Sequence, residues 1–416
     1  MNFSVFIARR LGFKTSDDKG ASPGVVVGYV GVALAIVIML LSIAVVNGFK
    51  KEIKGKLVGF TSEVTIIAQA NDETPGITSG IRLTDTLTRM VAEIAPSAKM
   101  SLILRQPAIF KTYNDFQGII LKGLSDSADW AFYADNMAEG HIPGPADGPN
   151  SVTLSTTTAS RLGISVGDKL LTHFFDGKSL RTRKLTVTGI FDTHFHDFDA
   201  SFAFTPIRML QNLCHVDSLT GTAIEIRGLG IENSGKVASD LTESIIRYNV
   251  ANPTEPMTYG VNTIQETSGQ YLNWLDLLDT NVLVIIILMA FVASFTLVSS
   301  LFIIILERVN TVGLLKALGA TNRQIRRIFI YMAQRLVVRG IIIGNIIAAG
   351  IAWVQQKHHL IPLDADAYYL NYVPVDLSWQ SVIIVDCAVI AISILVLILP
   401  SHIIATLSPS STLRFE

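Results

Sequence analysis

The sequence predicts a membrane protein with four transmembrane α-helices and one large α+β extracytoplasmic domain inserted between the first and second. Three observations carry this. Half of the 416 residues are hydrophobic and only 16% are charged, against about 25% in soluble domains. The mean hydropathy is positive, at +0.45. The apolar residues are gathered into a few runs, each long enough to cross a hydrocarbon core of about 30 Å at about 1.5 Å per residue.

Residues 1–23 come first. Phe3, Phe6, Ile7 and Leu11 fall near one helix face and Arg9 and Arg10 on another, the pattern of an amphipathic segment lying on a membrane surface. Residues 24–46 carry no charge and form transmembrane helix 1. No small-x-small cleavage site closes this run, so it reads as an anchor rather than a signal peptide. Lys50, Lys51, Glu52, Lys54 and Lys56 then mark a return to water.

Residues 50–275 form the extracytoplasmic domain. Strand patterns fall at 64–67, 119–121, 152–154, 185–190, 201–204 and 223–226, and helical ones at 83–94, 155–162 and 231–248. In 83–94, Leu83, Leu87, Met90, Val91 and Ile94 recur at helical spacing before Pro96. The mixture predicts an α+β domain of one lobe or two, the inserted lobe covering about 116–205.

Three more spans follow, at 280–306, 328–354 and 378–400. The third contains Arg335 and Arg339, whose long side chains reach the headgroups from near a helix end. The fourth is interrupted by Asp386, which is costly in lipid and so faces other helices or a subunit interface. Asn345, Gly340, Gly344 and Gly350 in the third span predict close helix packing. Residues 307–327 carry Arg308, Lys316, Arg323, Arg326 and Arg327 against Glu307 alone, and residues 1–23 carry four bases against two acids. The positive-inside rule places both segments in the cytoplasm. The large domain and the 355–377 loop then lie outside, and the 401–416 tail inside.

Motifs of independent chemistry are sparse. The net charge of −1 gives no footprint for nucleic acid, and Cys214 and Cys387 sit too far apart in kind and place for a disulfide framework. Residues 230–237 match GxxxxGK but lack the closing Ser or Thr that would hold magnesium. Asp192, His194 and His196 alternate, as a metal site or a polar turn would. Asp176-Gly177 signals a hairpin within 172–184, and Thr321 with Gln324 forms a capping box. There is no nucleophile elbow or HExxH.

With this layout fixed, four stretches resemble the FtsX-like, MacB-type ABC transporter permeases, and within them the lipoprotein-releasing permeases of Gram-negative bacteria. They are the helix 1 exit Asn47, Gly48, Phe49 with Glu52; the run from Glu307 and Arg308 through Leu314, Leu315, Lys316, Leu318 and Gly319; residues 372–379; and the tail from Pro400 to Arg414. Val312-Gly313 departs from the family's usual start of the second stretch, and His402 from its tail. Residues 118–124 and 162–168 are similar to strands of the family's external domain.

The resemblance implies a type VII permease fold, no cofactor and no enzymatic activity, with ATP hydrolysed by a separate cytoplasmic ATPase. That subunit would dock on Glu307, Arg308, Leu314, Leu315, Lys316, Leu318 and Gly319. It implies a homodimer, or a heterodimer with a related permease, in the inner membrane of a Gram-negative bacterium. The implied cargo is an acylated lipoprotein taken from the outer leaflet into a cavity lined by residues 32–46 and 282–297, with the 355–377 loop capping the bundle. Phe174, Phe175, Arg181 and Arg183 are candidate contacts for a periplasmic carrier, or parts of an ordinary hairpin. Two alternatives remain open: a scaffold relaying ATPase motion to a partner such as a cell-wall hydrolase, and a peptide or drug exporter.

Overall fold

The computed structural model describes residues 23–70, 80–113, 115–128, 130–176, 179–252 and 257–406. The expected amphipathic segment before residue 23, the hairpin tip Gly177-Lys178 and the tail from 407 onward lie outside the described residues. In chain order the elements are α1 (Pro23–Phe60), β1 (Val64–Ala70), β2 (Ile81–Arg82), α2 (Asp85–Ile94), β3 (Lys99–Lys111), β4 (Phe116–Leu124), α3 (Ala131–Asp135), β5 (Met137–Gly140) and β6 (Ser151–Ser155). Then come α4 (Thr156–Leu162), β7 (Lys169–Asp176), β8 (Ser179–Phe191), α5 (His196–Asp199), β9 (Phe202–Pro206), α6 (Ile207–Cys214), β10 (Thr220–Gly221), β11 (Ala223–Arg227), α7 (Ile231–Ala251) and β12 (Met257–Thr263). The chain closes with α8 (Ile264–Glu307), α9 (Val309–Ala317), α10 (Asn322–His358), α11 (Ala365–Tyr368) and α12 (Trp379–Thr406). The chain divides into two compact units. The membrane unit is Met1–Lys51, Trp274–Pro362 and Tyr372–Glu416; the external unit is Glu52–Asn273 and Leu363–Asn371.

Among the described residues, four helices are long and apolar enough to cross a membrane: Gly24–Phe60, Ile264–Glu307, Asn322–His358 and Trp379–Leu397. α1 does not stop at the expected exit near residue 46. Phe49, Ile53, Leu57 and Phe60 form a buried stripe at helical spacing and carry the helix through the charged 50–56 run.

In the membrane unit α1 is seated by glycine. A Cβ at Gly24 would lie 2.6 Å from Ile303 Cγ2, one at Gly28 2.7 Å from Leu336 Cδ1, and one at Gly31 would strike Thr296. From the other side, Cβ atoms at Gly340 and Gly344 would come within 2.8 Å of Val32 Cβ and 2.9 Å of Ile36 Cβ. Such small residues let helix backbones approach in lipid, where packing and interhelical hydrogen bonds hold helices together. α10 and α12 are joined by polar pairs: Gln334 Nε2 donates to Ser393 Oγ at 3.0 Å, and Asn345 Nδ2 to Asp386 Oδ2 at 2.8 Å.

In the external unit a ten-stranded sheet runs β12-β1-β11-β3-β4-β9-β6-β8-β5. β7 pairs both β3 and β8, so β3, β4, β9, β6, β8 and β7 close into a ring. The expected lobe boundary at 116 falls inside this sheet, between β3 and β4. Phe110, Leu121, Leu154, Phe174, Leu185 and Ala203 are buried in its core. α2 starts where Thr84 accepts a hydrogen bond from Leu87 N and buries Leu87 and Val91.

The last turn of α1 ends in this unit among cations. Arg227 donates to the Gly59 and Thr61 carbonyls at 3.2 and 2.6 Å, and Lys122 Nζ to the Phe60 carbonyl at 2.8 Å. The Tyr133 hydroxyl donates to the Gly59 carbonyl at 3.0 Å. These groups satisfy the orphan carbonyls of a helix C-terminus and match its partial negative charge. Glu225 joins the cluster, 2.7 Å from Lys122, 3.0 Å from Arg105 and 2.9 Å from Arg227. Burial pushes Lys122 down to about 7 against the pull of Glu225. Burial alone would raise Glu225, but Lys122, Arg227 and Arg105 hold it below the usual range.

Candidate coupling element and intramembrane cleft

The connection between α8 and α10 folds as a short helix between two sharp turns. α8 ends at Glu307, Arg308 leaves helical geometry (φ −115°, ψ 13°), and α9 follows. Gly319 takes φ +91°, a conformation that favours glycine, and Ala320 N donates to the Leu315 carbonyl at 2.9 Å. Thr321 then starts α10 with a reciprocal capping box: its side chain accepts from Gln324 N, and Thr321 N donates to Gln324 Oε1 at 2.8 Å.

This geometry sorts the three leucines of the element. Leu314 and Leu318, one turn apart, are 61% and 76% exposed. Leu315 instead turns inward with Val312, beside Ile325, Ile328, Phe329 and Met332, around a void of about 10 Å³. The apolar face available to a partner is therefore Leu314 and Leu318, and Leu315 packs the element onto α10. Lys316 and Arg308 are half-buried, and Glu307 and Gly319 exposed.

At the other end of the membrane unit, a cleft of about 220 Å³ opens between α1 and α8, lined by Ile43, Val46, Asn47, Asp279, Val282, Leu283 and Ile286. Its walls are aliphatic, with Asn47 and Asp279 the two polar groups. The residues of the helix 1 exit each have a structural task here. Gly48 admits the backbone of Pro374, whose carbonyl carbon would lie 2.7 Å from a Cβ at that position. Phe49 sits edge-on to Trp274, with centroids 5.7 Å apart. Lys50 pairs with Asp279 at 2.6 Å and Asp276 at 3.5 Å, and Lys51 with Asp376 at 2.9 Å. The roles of Trp274, Asp276 and Asp376 escape sequence reasoning, because nothing in their local pattern marks a partner hundreds of residues away.

The hairpin forms as β7–β8, but Phe174 is only 1% exposed, a core residue of the closed ring rather than a contact. Phe175, 52% exposed, pairs across the hairpin with Leu180, and Arg183 is exposed. Arg181 is half-buried, its guanidinium donating to the Leu213 carbonyl.

The Asp192–Asp199 segment does not continue the strand. β8 ends at Phe191, His194 adopts φ +57° and α5 follows, which removes the alternating face that a strand would supply. Among the described residues no three His, Cys, Asp or Glu side chains converge to hold a metal ion. Asp199 accepts from Thr193 Oγ1 at 2.6 Å, and burial pushes its carboxyl up to about 6. At the GxxxxGK run, Gly230 N donates to Glu63 Oε1 at 3.2 Å and residues 231–237 already lie in the first turns of α7, so the run is not an open loop of amides wrapped around a phosphate. Asp386 meets Asn345 on the neighbouring α10, as its cost in lipid requires.

The loop expected to cap the bundle is divided. Residues 363–371 belong to the external unit, where His196 Nε2 meets Asp366 and His194 Nε2 lies 2.6 Å from Asn371 Nδ2. This corrects the expectation that the whole loop caps the helices.

Comparison with known proteins accords with this architecture. A model described as the MacB-like periplasmic core domain matches residues 26–246, more than half of the chain, and one described as the FtsX-like permease C-terminal matches residues 283–409. The chain is 23% identical over 407 residues to a lipoprotein-releasing system transmembrane protein LolC from Xylella fastidiosa, covering 93% of this chain and 92% of that one. It is also 23% identical over 404 residues to a lipoprotein-releasing system transmembrane protein LolE from Haemophilus influenzae, covering 92% of each. Among solved structures, the periplasmic region of MacB from Actinobacillus actinomycetemcomitans aligns at 13% identity and a TM-score of 0.34, over 52% of this chain and 95% of that one. The chain therefore belongs to the FtsX/MacB-type ABC permease family, whose permease subunits are non-catalytic, and it is related to the LolC and LolE permeases.

Proposed function

We propose that this chain is the transmembrane subunit of a complex that extracts acylated lipoproteins from the outer leaflet of the inner membrane and releases them toward the outer membrane. The observation that carries the reading is the α1–α8 cleft, aliphatic along its walls and polar only at Asn47 and Asp279, in a chain matched along nearly its whole length by LolC and LolE. Acyl chains fit aliphatic walls, and the polar groups suit the glyceryl and amide end of a lipid-modified cysteine. Both termini and α9 lie in the cytoplasm in this reading, where Leu314 and Leu318, flanked by Glu307, Arg308, Lys316 and Gly319, seat the ATPase. Two permease chains, identical or related, pair to enclose the cargo. Phe175 and Arg183 on the hairpin offer the carrier its contacts, and Arg181 holds the hairpin in place.

The test is a mild-detergent pull-down from native membranes, with mass spectrometry of proteins and attached lipids. An ATPase recovered with acylated lipoproteins that leave on ATP addition is the expected result. An ATPase recovered with a hydrolase or regulator and no acylated cargo would replace release with mechanical relay. Absence of any ATPase, even after crosslinking at residues 308–320, would sink the proposal.

A further inference from the structure

We propose that residues 363–371 are a releasable strap, which fastens onto the 192–199 turn and the distal part of α1 and lets go as one piece. The strap is pinched at its base: Pro362 and Tyr372 form an isolated antiparallel bridge, and Leu363 N donates to the Asn371 carbonyl at 2.9 Å. Between these points it makes one turn of helix, α11, in which no residue is buried.

Its attachments are few and mostly polar. His196 Nε2 meets the Asp366 carboxylate, and Asn371 Nδ2 lies 2.6 Å from His194 Nε2. The Tyr369 hydroxyl donates to Asp197 Oδ2 at 3.3 Å, and Tyr271 donates to the same oxygen at 2.8 Å. Lys56, on α1, donates to the Tyr369 carbonyl at 2.7 Å and to the Thr193 carbonyl at 2.5 Å, so one ammonium staples three segments. Apolar help comes from the Tyr369 ring, edge-on to Phe195 at 4.7 Å, and from Leu370.

Two features favour release over permanent fixing. The Asp366 side chain is 81% exposed, so water replaces its bond to His196 as soon as the contact opens. His194 and Tyr369, which face the junction from opposite sides, both hold left-handed backbone conformations (φ 57° and 60°) that non-glycine residues rarely keep without surrounding contacts. Apart from the half-buried Lys56 staple, the strap has few buried apolar contacts and exposed polar bonds, the marks of a segment at the low-stability end of a fold. The strap rests on this geometry alone; only its part in a working cycle rests on the proposed function.

The test is hydrogen exchange by mass spectrometry on the full chain in lipid nanodiscs. The amides of 363–371 are expected to exchange about a hundredfold faster than those of β4 and β9. The double variant His196→Ala/Asn371→Ala should quicken them by about a further tenfold while leaving the ring unchanged. Protection equal to that of the ring, or indifference to the double variant, overturns the strap. A second arm uses His196→Cys/Asp366→Cys in a Cys214→Ser/Cys387→Ser background. Bridging the two thiols with a short reducible bis-methanethiosulfonate linker should lower ATP-driven activity of the whole complex about tenfold, with recovery on reduction. Full activity in the crosslinked protein shows that release is not part of the cycle and overturns that role. A wild-type complex with no ATP-driven activity counts against the proposed function, and the exchange arm still decides the strap.

Discussion

Glu225 faces Lys122, Arg105 and Arg227 in a buried cluster that also holds the final carbonyls of α1. Its removal leaves three cations without their carboxylate. Glu225→Gln is expected to cost about 3–5 kcal/mol. Lys122→Met, which leaves Glu225 with both arginines and forfeits one carbonyl contact, is expected to cost about 1–3 kcal/mol. Urea unfolding of the detergent-solubilised chain measures the order, and equal losses would mean that Glu225 does not organise the cluster. Asp199 gives a pH signature. Its folded pKa of about 6 lies above the ordinary 3.8 because of burial. The stability it contributes is therefore complete below about pH 4 and lost as pH rises through about 6. Asp199→Asn should flatten that limb of the thermal-unfolding profile, worth about 2–3 kcal/mol. Sequence reasoning saw Asp386 and Asn345 separately but not as a pair. Their separation along the chain hides that α10 and α12 align them.

Among the elements, α9 shows how local pattern and partner packing divide the evidence. The capping box at Thr321 is legible because it is written in four consecutive residues. Which leucine faces outward is not, since that depends on how α9 rolls against α10. The structure yields a sharp prediction. Leu314→Asp with Leu318→Asp should abolish ATPase co-purification while shifting the chain's own melting temperature little. Leu315→Asp should lower that temperature by several degrees, because it buries a charge beside Phe329 and Met332. A double variant that still binds the ATPase would move the docking face elsewhere. β3, the strand that joins the ring to the rest of the sheet, left no signal. Leu102, Ile103 and Leu104 are buried consecutively, which erases the two-residue alternation, and Pro107 lies mid-strand where a ladder donor is normally needed.

At the scale of the whole molecule, the four spans and the insertion of one α+β domain between the first two were readable from hydropathy alone, because lipid demands long uncharged helices. The closure of the sheet was not. It depends on β7 pairing both β3 and β8, and one of those partnerships lies about sixty residues upstream. Closure predicts cooperative behaviour. β3, β4, β6, β7, β8 and β9 should exchange amide hydrogen as one unit, and β12, paired on one side to β1, should exchange faster. Strand-by-strand protection that differs widely within the ring would argue that the closure is only nominal.

The glycines that seat α1 against α8 and α10 have a consequence for how this chain can vary. No amino acid is smaller than glycine, so every substitution at Gly24, Gly28, Gly31, Gly340 or Gly344 adds atoms to a place that has none to spare. Change at the seam runs one way, and relief has to come from across it, by shrinking Ile303, Leu336, Thr296 or Val32. The three helices are thereby bound to a shared history.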